Sequence, residues 1–422
     1  MVHPFTQNIT VQITGKVVSI LAVIGSTALI ARELGPVYFG YYSIILVNLS
    51  FITVLNDLGL QTIAVRNASQ DAGSLGTITG NLFWIKVVLS CIVIALFAVL
   101  LTYSHYSPVV KRGVLLASIG AFFLSVISAP NTIFQSTLKL RYMVLSDICG
   151  QIILISLIGL ICLFFAGDTH VLYYFIEAGV FSSLLSLCVA LYYARRIERV
   201  RWNLNMALIG GLLRNTAPLA LINLLSQVHF RGDSLLLSFM KTESDVGLYA
   251  IAYKFFESSL MVPIIIMTAV FPLLSRAHED PGQLQAIAGK SFNWLLLTGA
   301  VASIGTFSLA PQLIEWTVGK NYHETILLLR ILSPAILFSF INSIFANIVI
   351  AKNKQRDILF VSISGVTINL GLNAIFIPRY SAIACATITD FSECYGMLMM
   401  GYLAYRSSGF IPFRRKAGLA PL

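Results

Sequence analysis

The chain has little charge and no long polar stretch. Only 11% of its 422 residues are Asp, Glu, Lys or Arg, whereas 57% are hydrophobic. A soluble globular domain typically has about 25% charged residues, so the composition excludes that class. Apolar runs long enough to cross a bilayer recur along the whole length. We therefore predict an all-α integral membrane protein with no sizeable soluble domain.

The cysteines also lack a recognisable pattern. All six fall inside candidate membrane spans, where the expected role of a thiol is that of a small buried hydrophobic group. We accordingly predict no metal site and no cofactor. The net charge is +10, but the basic residues lie in loops between spans rather than on one soluble face. This distribution argues against a nucleic-acid partner.

Hydropathy predicts about twelve transmembrane helices. The predicted spans are residues 10–32, 39–64, 79–103, 113–137, 144–166, 171–194, 208–239, 246–274, 287–310, 324–350, 356–377 and 382–405. Basic residues are concentrated in alternate loops, including the loop that starts at Arg195 and the tail that starts at Arg406. By the positive-inside rule, we expect both termini in the cytoplasm.

Two short repeats relate the first half of the chain to the second. Phe39–Ser43 resembles Val246–Ala250, and Asn131–Phe134 resembles Asn342–Phe345. The first pair is offset by 207 residues (39 to 246) and the second by 211 (131 to 342), so the halves are nearly in register. Each repeat also occurs in a span of the same number within its half. These coincidences indicate an internal duplication.

The duplication predicts two pseudo-symmetric six-helix lobes, residues 1–200 and 201–422. The strongly basic segment Arg195–Asn205 would join them, and it is called the basic linker below. An even number of spans in each half gives the repeats the same orientation, with a pseudo-symmetry axis along the membrane normal. Paired lobes of this kind place a substrate site at their interface and rock between two access states.

Charged residues inside the predicted spans mark the candidate site. A charge at the bilayer centre costs ~2.5–3.5 kcal/mol on insertion scales, so such residues usually face a protein interior or a water-filled cavity. We predict a cationic cavity for an anionic headgroup such as a pyrophosphate, because Arg and Lys bind phosphate oxygens by charge-assisted hydrogen bonds. The candidate substrate-binding residues are Lys254, Arg231, Arg330, Lys16 and Lys86.

Three intramembrane acids are candidates for coupling transport to protons or sodium: Asp57, Glu257 and Asp390. A structural role is the alternative. Lys254 and Glu257 are three residues apart on one helix face and can form an ion pair. The other cations could extend their charged ends to a membrane interface.

Short motifs along almost the whole chain have the order and spacing of a known transporter family. They are Ala31–Gly40 after the first span, Asn56–Leu60 with Arg66 at the end of the second, Leu212–Pro218 in the seventh, Gly247–Lys254 with Phe271 and Pro272 in the eighth, Ile350–Arg356 after the tenth, and Asn373–Pro378 in the eleventh. Together they resemble the bacterial oligosaccharide (O-antigen type) flippases. The superfamily of these flippases also holds the lipid II flippases and the multidrug and toxin extruders.

The resemblance implies a V-shaped pair of six-helix lobes and no covalent chemistry. It implies that the protein exports, by alternating access, a glycan repeat unit linked to undecaprenyl pyrophosphate. Its partners would be that lipid-linked glycan, membrane lipids, and the polymerase and glycosyltransferases of the same pathway. Similar flippases place a headgroup-contacting Arg in the first third of the eighth span, where this chain has Lys254. About twelve spans, rather than fourteen, argue against the lipid II branch.

Two other functions stay open at this point. One is a cation-coupled drug or toxin antiporter of the same fold, whose cavity would be dominated by acids and aromatic residues. The other is a membrane glycan polymerase or glycosyltransferase, which would need a large outer loop or a catalytic acid near the outer surface. The outer loops here are short: Thr102–Lys111 has no acid, and Pro311–His323 has only Glu315.

Overall fold

The computed structural model describes residues 2–277 and 279–413, with the side chains of all of these except residues 2–21 and 72. This part of the chain forms thirteen α-helices and no strand. The helices are α1 (Val2–Asp57), α2 (Leu60–Gln70), α3 (Leu75–Tyr103), α4 (Pro108–Val126), α5 (Ser128–Ser136), α6 (Arg141–Phe164), α7 (Val171–Ile197), α8 (Met206–Met240), α9 (Glu243–Ser259), α10 (Met261–Arg276), α11 (Pro281–Thr317), α12 (Thr325–Ala351) and α13 (Gln355–Ser408). Short 3₁₀ turns occur at Ala72–Ser74 and Lys320–Tyr322. The predicted all-α class is confirmed.

Ten stretches in the described part of the chain are long and apolar enough to cross a membrane. Two of them, Ala22–Gln70 and Gln355–Ser408, contain a residue whose backbone is not helical, Gly35 and Ser381 respectively. Each of these two stretches therefore consists of two arms. Counted by arms, the helical segments correspond to the twelve predicted spans.

Proline and left-handed backbone explain the two breaks. Gly35 has φ 66°, a conformation that glycine adopts without steric cost, and Pro36 follows it. Ser381 has φ 50° and comes three residues after Pro378. Proline supplies no amide hydrogen, so each break leaves helix carbonyls without their usual donor. At the second break the Lys241 ammonium supplies one, 2.8 Å from the Pro378 carbonyl oxygen.

Several helices begin at well-formed caps. The Ser107 hydroxyl accepts a hydrogen bond from the amide of Val110 at the start of α4. At α9, Thr242 and Asp245 exchange side-chain and backbone hydrogen bonds in a capping box. The Asp280 carboxylate caps α11, whose first residue is proline. Each cap satisfies amides that have no partner inside the helix, so these loop residues fix where the helix begins.

The chain forms two compact units, Met1–Arg231 and Gly232–Leu422. In the first unit, the buried core joins α2, α3, α5 and α7 with Leu212 of α8. Gln227 on the same helix donates a hydrogen bond to the Ser50 hydroxyl on α1, 2.5 Å away. The first part of α8 therefore packs within this unit. The lobe boundary predicted at residues 200 and 201 precedes α8, and it stays a prediction.

The second unit contains the end of α8 and helices α9–α13. Its largest fully buried side chains include Tyr249 on α9 and Phe340 on α12. Gly299 of α11 faces Phe340 closely: a Cβ added at this glycine would lie 3.0 Å from the Phe340 Cβ. Close approach of helices through a small residue is a common mode of packing in membranes, because lipid provides no hydrophobic drive to association.

The basic linker is held against α3 by hydrogen bonds. The amide of Arg201 donates to the carbonyl of Gly76 at 3.0 Å. The Asn81 side chain donates to the Asn203 carbonyl at 3.1 Å and accepts from the Asn205 amide at 2.8 Å. The linker therefore has a fixed path along the helix, although its residues 198–205 have no regular secondary structure.

Two glycines on α3 make this close approach possible. A Cβ at Gly76 would lie 2.4 Å from the Arg199 carbonyl oxygen, and one at Gly80 would lie 2.0 Å from that of Arg201. Both distances are shorter than any real contact, and the obstructing atoms are backbone. Any larger residue at either position must displace the linker.

Candidate functional site

Lys254 and Glu257 form an ion pair within one turn of α9. The Lys254 ammonium lies 3.2 Å from the Glu257 carboxylate, and the two side chains are 30% and 31% exposed. The ion pair that the three-residue spacing of Lys254 and Glu257 permits is therefore present. Both charges nevertheless stay partly accessible inside a membrane-spanning stretch. A charge in this situation usually faces a water-filled cavity or a binding partner rather than lipid.

Arg231 and Asp233 lie near the end of α8 and differ in burial. Arg231 is half-buried, whereas Asp233 is 2% exposed. Residues two apart on a helix point in different directions, which accounts for the difference. The predicted substrate-binding arginine is thus the more accessible of the two.

Asp233 is the centre of a buried polar network that joins α8, α9 and α13. Its carboxylate accepts hydrogen bonds from the Tyr249 hydroxyl and from the Thr389 hydroxyl, the latter at 3.2 Å. The Ser234 amide donates to its other oxygen at 2.6 Å. Sequence analysis selected neither Asp233 nor Tyr249 as a site residue. The signal was available, because an acid within an apolar span is rarely neutral to function.

Lys86 and Asp57 form a second ion pair, at the break between α1 and α2. The Lys86 side chain is 1% exposed, and its ammonium lies 2.6 Å from the Asp57 carboxylate, which is 38% exposed. The same ammonium donates to the Asn56 carbonyl at 3.0 Å. Carbonyls at a helix C-terminus lack intrahelical donors, and a cation is favourable there. The structure thus places this predicted substrate-binding lysine at a helix end, away from solvent.

Arg330 lies on α12 against α11. Its Nε donates to the Phe307 carbonyl at 3.4 Å, and its guanidinium carbon is 5.5 Å from the centre of the Phe307 ring. Pro334 removes the amide that would bond the Arg330 carbonyl, and the Ser333 hydroxyl donates to that carbonyl instead, at 2.8 Å. The predicted substrate-binding cation therefore lies where a proline interrupts the helix hydrogen bonds and a serine hydroxyl replaces the missing donor.

Asp390 and Glu393 occupy the second arm of α13. Asp390 is half-buried, and one of its carboxylate oxygens is buried with no hydrogen-bond partner among the described residues. Glu393 is 9% exposed and accepts a 2.6 Å hydrogen bond from Ser339. Sequence reasoning did not select Glu393. An unsatisfied buried acceptor is costly, so the Asp390 oxygen is suited to take up a proton or a cation. The last predicted cation, Lys16, lies outside the residues whose side chains are described.

These observations define the class of the protein. The described part of the chain contains twelve apolar helical arms. Charged residues lie on these arms in pairs and networks that are buried or half-buried. This is the architecture of a multi-pass membrane transport protein. A model of the family described as "Polysaccharide biosynthesis protein" matches residues 5–278, well over half of the chain. The chain belongs to this family. A second model, MatE, matches residues 218–375.

Individual relatives agree with this placement. "Putative O-antigen transporter" of Escherichia coli (strain K12) is 20% identical over 381 residues, which cover 86% of this chain and 88% of that protein. Among solved structures, the lipid II flippase MurJ in an inward closed conformation has a TM-score of 0.79 at 15% identity, covering 93% of this chain and 87% of that one. An inward-facing multidrug resistance MATE family transporter has a TM-score of 0.77 at 13% identity, with 93% and 94% covered. Identities this low show a shared fold, and the resemblance to the oligosaccharide flippases is confirmed.

Proposed function

We propose that the protein flips an undecaprenyl-pyrophosphate-linked oligosaccharide across the bacterial inner membrane by alternating access. The product would serve the synthesis of a surface polysaccharide, such as O-antigen, capsule or exopolysaccharide. Membership of the polysaccharide biosynthesis family supports this proposal, as do relatives named as an O-antigen transporter and a lipid II flippase. Translocation makes and breaks no covalent bond, so the chain acts by binding and conformational change.

The half-exposed Lys254 carries the proposal. It lies in a membrane-spanning stretch, and its side chain stays 30% exposed although its ammonium is paired with Glu257. A pyrophosphate has several anionic oxygens and can bind the ammonium in addition to, or in place of, this carboxylate. Arg231 is the other leading candidate, since it is also half-buried in a span and a guanidinium can hold a phosphate by two parallel hydrogen bonds.

A reconstituted flipping assay tests the role of Lys254. Proteoliposomes would contain undecaprenyl-pyrophosphate-linked N-acetylglucosamine, and a membrane-impermeant galactosyltransferase would report the sugar that reaches the outer leaflet. We expect Lys254→Ala and Arg231→Ala each to reduce the initial rate about tenfold or more, the loss expected for one charge-assisted contact. Lys254→Arg should retain at least about half of the rate, because the charge is kept.

Lys320→Ala is the matched control for this assay. Lys320 also pairs with an acid, Glu315, at 3.5 Å, but it is 87% exposed and lies outside the spans. The control should flip at the wild-type rate. Wild-type rates in Lys254→Ala and Arg231→Ala, with normal insertion, would refute the assignment of the headgroup site.

Coupling to protons or sodium is part of the proposal. Two of the three candidate acids, Asp57 and Glu257, are engaged with lysines, whereas Asp390 retains a buried oxygen that has no hydrogen-bond partner among the described residues. Asp390 is therefore the best suited of the three to bind a transported cation. An imposed proton or sodium gradient should accelerate flipping by the wild-type protein and not by Asp390→Asn. Equal acceleration of both would exclude Asp390 as the coupling residue.

A cation-coupled drug or toxin antiporter is the second candidate, favoured by the match of the MatE model to residues 218–375. Cells or vesicles that contain the protein would then extrude ethidium in exchange for protons or sodium. Ethidium efflux together with absent lipid flipping would favour this candidate. The reverse result would favour the flippase.

The proposal includes an orientation with both termini in the cytoplasm, where lipid-linked sugars are assembled by glycosyltransferases before a polymerase uses them on the other side. A green fluorescent protein fused after Leu422 would then fluoresce, because it folds in the cytoplasm. Alkaline phosphatase at the same position would be inactive. The opposite pair of results would reverse the orientation.

A further inference from the structure

A cavity inside the first unit is not explained by the cationic headgroup site. It has a volume of about 450 Å³ and is enclosed by α1, α4, α6 and α7. This size is within the range of roughly 300–1,000 Å³ that small-molecule pockets occupy. Its polar lining residues are Tyr42, Asp147, Gln151, Ser182, Ser183 and Ser186.

One wall of the cavity presents an acid and an amide with unused bonding capacity. Asp147 and Gln151 are four residues apart on α6, so they lie one above the other on one helix face. Asp147 is exposed to the cavity and has no hydrogen bond or ion pair with another described residue. The side-chain oxygen of Gln151 is buried and equally lacks a partner in the described part of the chain. Buried polar groups are normally bonded, so the Gln151 oxygen points to a ligand, and the exposed Asp147 carboxylate beside it is free to bind the same ligand.

The facing wall adds further acceptors. The Ser182 hydroxyl donates its hydrogen to the Gly150 carbonyl at 2.9 Å, and the Ser183 hydroxyl donates to the Gly179 carbonyl at 2.8 Å. A hydroxyl has one hydrogen but two lone pairs, so both serines can still accept hydrogen bonds. The two serines thus add acceptors to the Asp147 carboxylate and the Gln151 side-chain oxygen, while the Gln151 amide and the Tyr42 hydroxyl also supply donors.

A lining that contains a carboxylate together with other acceptors and donors favours a ligand whose groups both donate and accept hydrogen bonds and carry no negative charge. Sugar hydroxyl and amide groups donate hydrogen bonds, whereas a fully ionised pyrophosphate has only acceptors and would be repelled by Asp147. The apolar part of the lining fits the same ligand. Tyr42, which is half-buried, contributes an aromatic ring that can contact the C–H surface of a sugar ring.

We propose that this cavity is a sugar-recognition site that binds an uncharged or amino-bearing sugar of the transported glycan through its hydroxyl groups. This inference rests on the proposed flippase function. It assigns discrimination between glycans to residues other than the lysine and arginine of the headgroup site. A sugar with a carboxylate would be rejected, because it brings a second negative charge close to Asp147.

Binding measurements on the full-length protein in nanodiscs test this site. The three probes are undecaprenyl pyrophosphate, the same lipid linked to N-acetylglucosamine, and the same lipid linked to glucuronic acid. We expect the N-acetylglucosamine lipid to bind about fivefold or more tightly than the sugar-free lipid, as a few added hydrogen bonds allow. The glucuronic acid lipid should show no such gain.

Variants locate the effect. Asp147→Asn and Gln151→Leu should each reduce the affinity ratio between the N-acetylglucosamine lipid and the sugar-free lipid to about twofold or less, because a lost partner removes discrimination. Affinity for the sugar-free lipid should not change. Ser156→Ala is the matched control: Ser156 lies on the same helix and bonds the Ile152 carbonyl, outside the cavity lining.

The outcomes separate this inference from the proposed function. Binding of the sugar-free lipid with no gain from N-acetylglucosamine, or an unchanged ratio in both variants, would overturn the sugar site alone. Failure of all three lipids to bind would overturn the flippase function. Saturation-transfer NMR with free N-acetylglucosamine would then test the cavity alone. A wild-type signal that disappears in Gln151→Leu would support the sugar site, and the absence of a wild-type signal would refute it. Binding of ethidium that depends on Asp147 without any sugar signal would identify an organic-cation site instead.

Discussion

Among the described residues, each unit contains a lysine–acid pair within a membrane-spanning stretch, and the two pairs differ in almost every property. Lys86 and Asp57 join α3 to the end of α1, 2.6 Å apart and 29 residues apart in sequence. Lys254 and Glu257 lie within one turn of α9, 3.2 Å apart. The first lysine is 1% exposed and the second 30%. The contrast shows that composition alone does not distinguish a cation that holds the fold from one available to a ligand.

Burial explains the difference in energetic terms. A fully buried ammonium has lost its hydration, at an effective cost of several kcal/mol, and it needs every acceptor around it. Lys86 has two such acceptors, the Asp57 carboxylate and the Asn56 carbonyl. A half-exposed pair such as Lys254–Glu257 keeps part of its hydration and contributes about 0–1 kcal/mol to stability. It can therefore exchange partners at little cost.

The largest expected effect comes from breaking the buried pair. Asp57→Asn leaves the Lys86 ammonium buried without a counter-ion. We expect a loss of about 3 kcal/mol in the free energy of unfolding, the lower end of the usual range because water reaches Asp57. Unfolding titrations with dodecyl sulfate in mixed micelles would measure it. Asp57→Asn/Lys86→Met should recover at least half of the loss, and no recovery would show that the damage is not electrostatic.

The same substitution at the two lysines sharpens the comparison. Lys86→Arg inserts a larger group into a closed site and should cost about 2 kcal/mol. Lys254→Arg should change stability by about 0.5 kcal/mol or less, because the side chain has room to adjust. The same titration measures both. Equal costs at the two positions would contradict the assignment of one lysine to the fold and the other to a ligand.

A third effect concerns the helix that carries Lys86. Gly80→Ala places a Cβ 2.0 Å from the Arg201 carbonyl oxygen and should displace the basic linker. We expect a net loss of about 1 kcal/mol in unfolding free energy, since overpacking outweighs the gain in helix propensity. Gly159→Ala on α6 is the control, because nothing lies within 4 Å of the added Cβ. It should be neutral or slightly stabilising.

The smallest effect is expected at the half-exposed pair. Glu257→Gln removes the partner of Lys254 but leaves a polar group of the same shape. The free energy of unfolding should change by about 0.5 kcal/mol or less. Comparing this change with that of Asp57→Asn gives the ratio of the stabilities that the two ion pairs contribute. If Glu257→Gln lowered the free energy of unfolding as much as Asp57→Asn does, the proposed difference between the half-exposed and the buried pair would be wrong.

The sequence was sufficient for the architecture because membrane helices are specified by length and apolarity. Each of the twelve predicted spans corresponds to a helical arm. Breaks inside spans were harder to place. The second span breaks at Leu58 and the eighth at Leu260, three residues before a first-turn proline, Pro263. Because a break depends on which carbonyls find other donors, its position follows from packing rather than from composition.

The candidate site was only partly predictable. The rule that intramembrane charge is functional selected Lys254 and Lys86 alike, since depth in the protein cannot be derived from a residue's position in the sequence. It also passed over Tyr249 and the polar wall of the first-unit cavity, where the serines are ordinary in composition. Whether these serines can bind a ligand depends on whether their hydroxyl hydrogens are already donated to backbone carbonyls, and only the three-dimensional contacts show this.

The docked path of the basic linker has a consequence for proteolysis. Four exposed arginines, typical trypsin targets, occur between residues 195 and 201. A protease must draw the backbone into an extended form, and here the backbone is bonded to Gly76 and to the Asn81 side chain. Cleavage therefore requires the segment to detach from α3 first, so its rate reports local opening rather than exposure. The most basic segment of the chain is protected by its conformation, not by its chemistry.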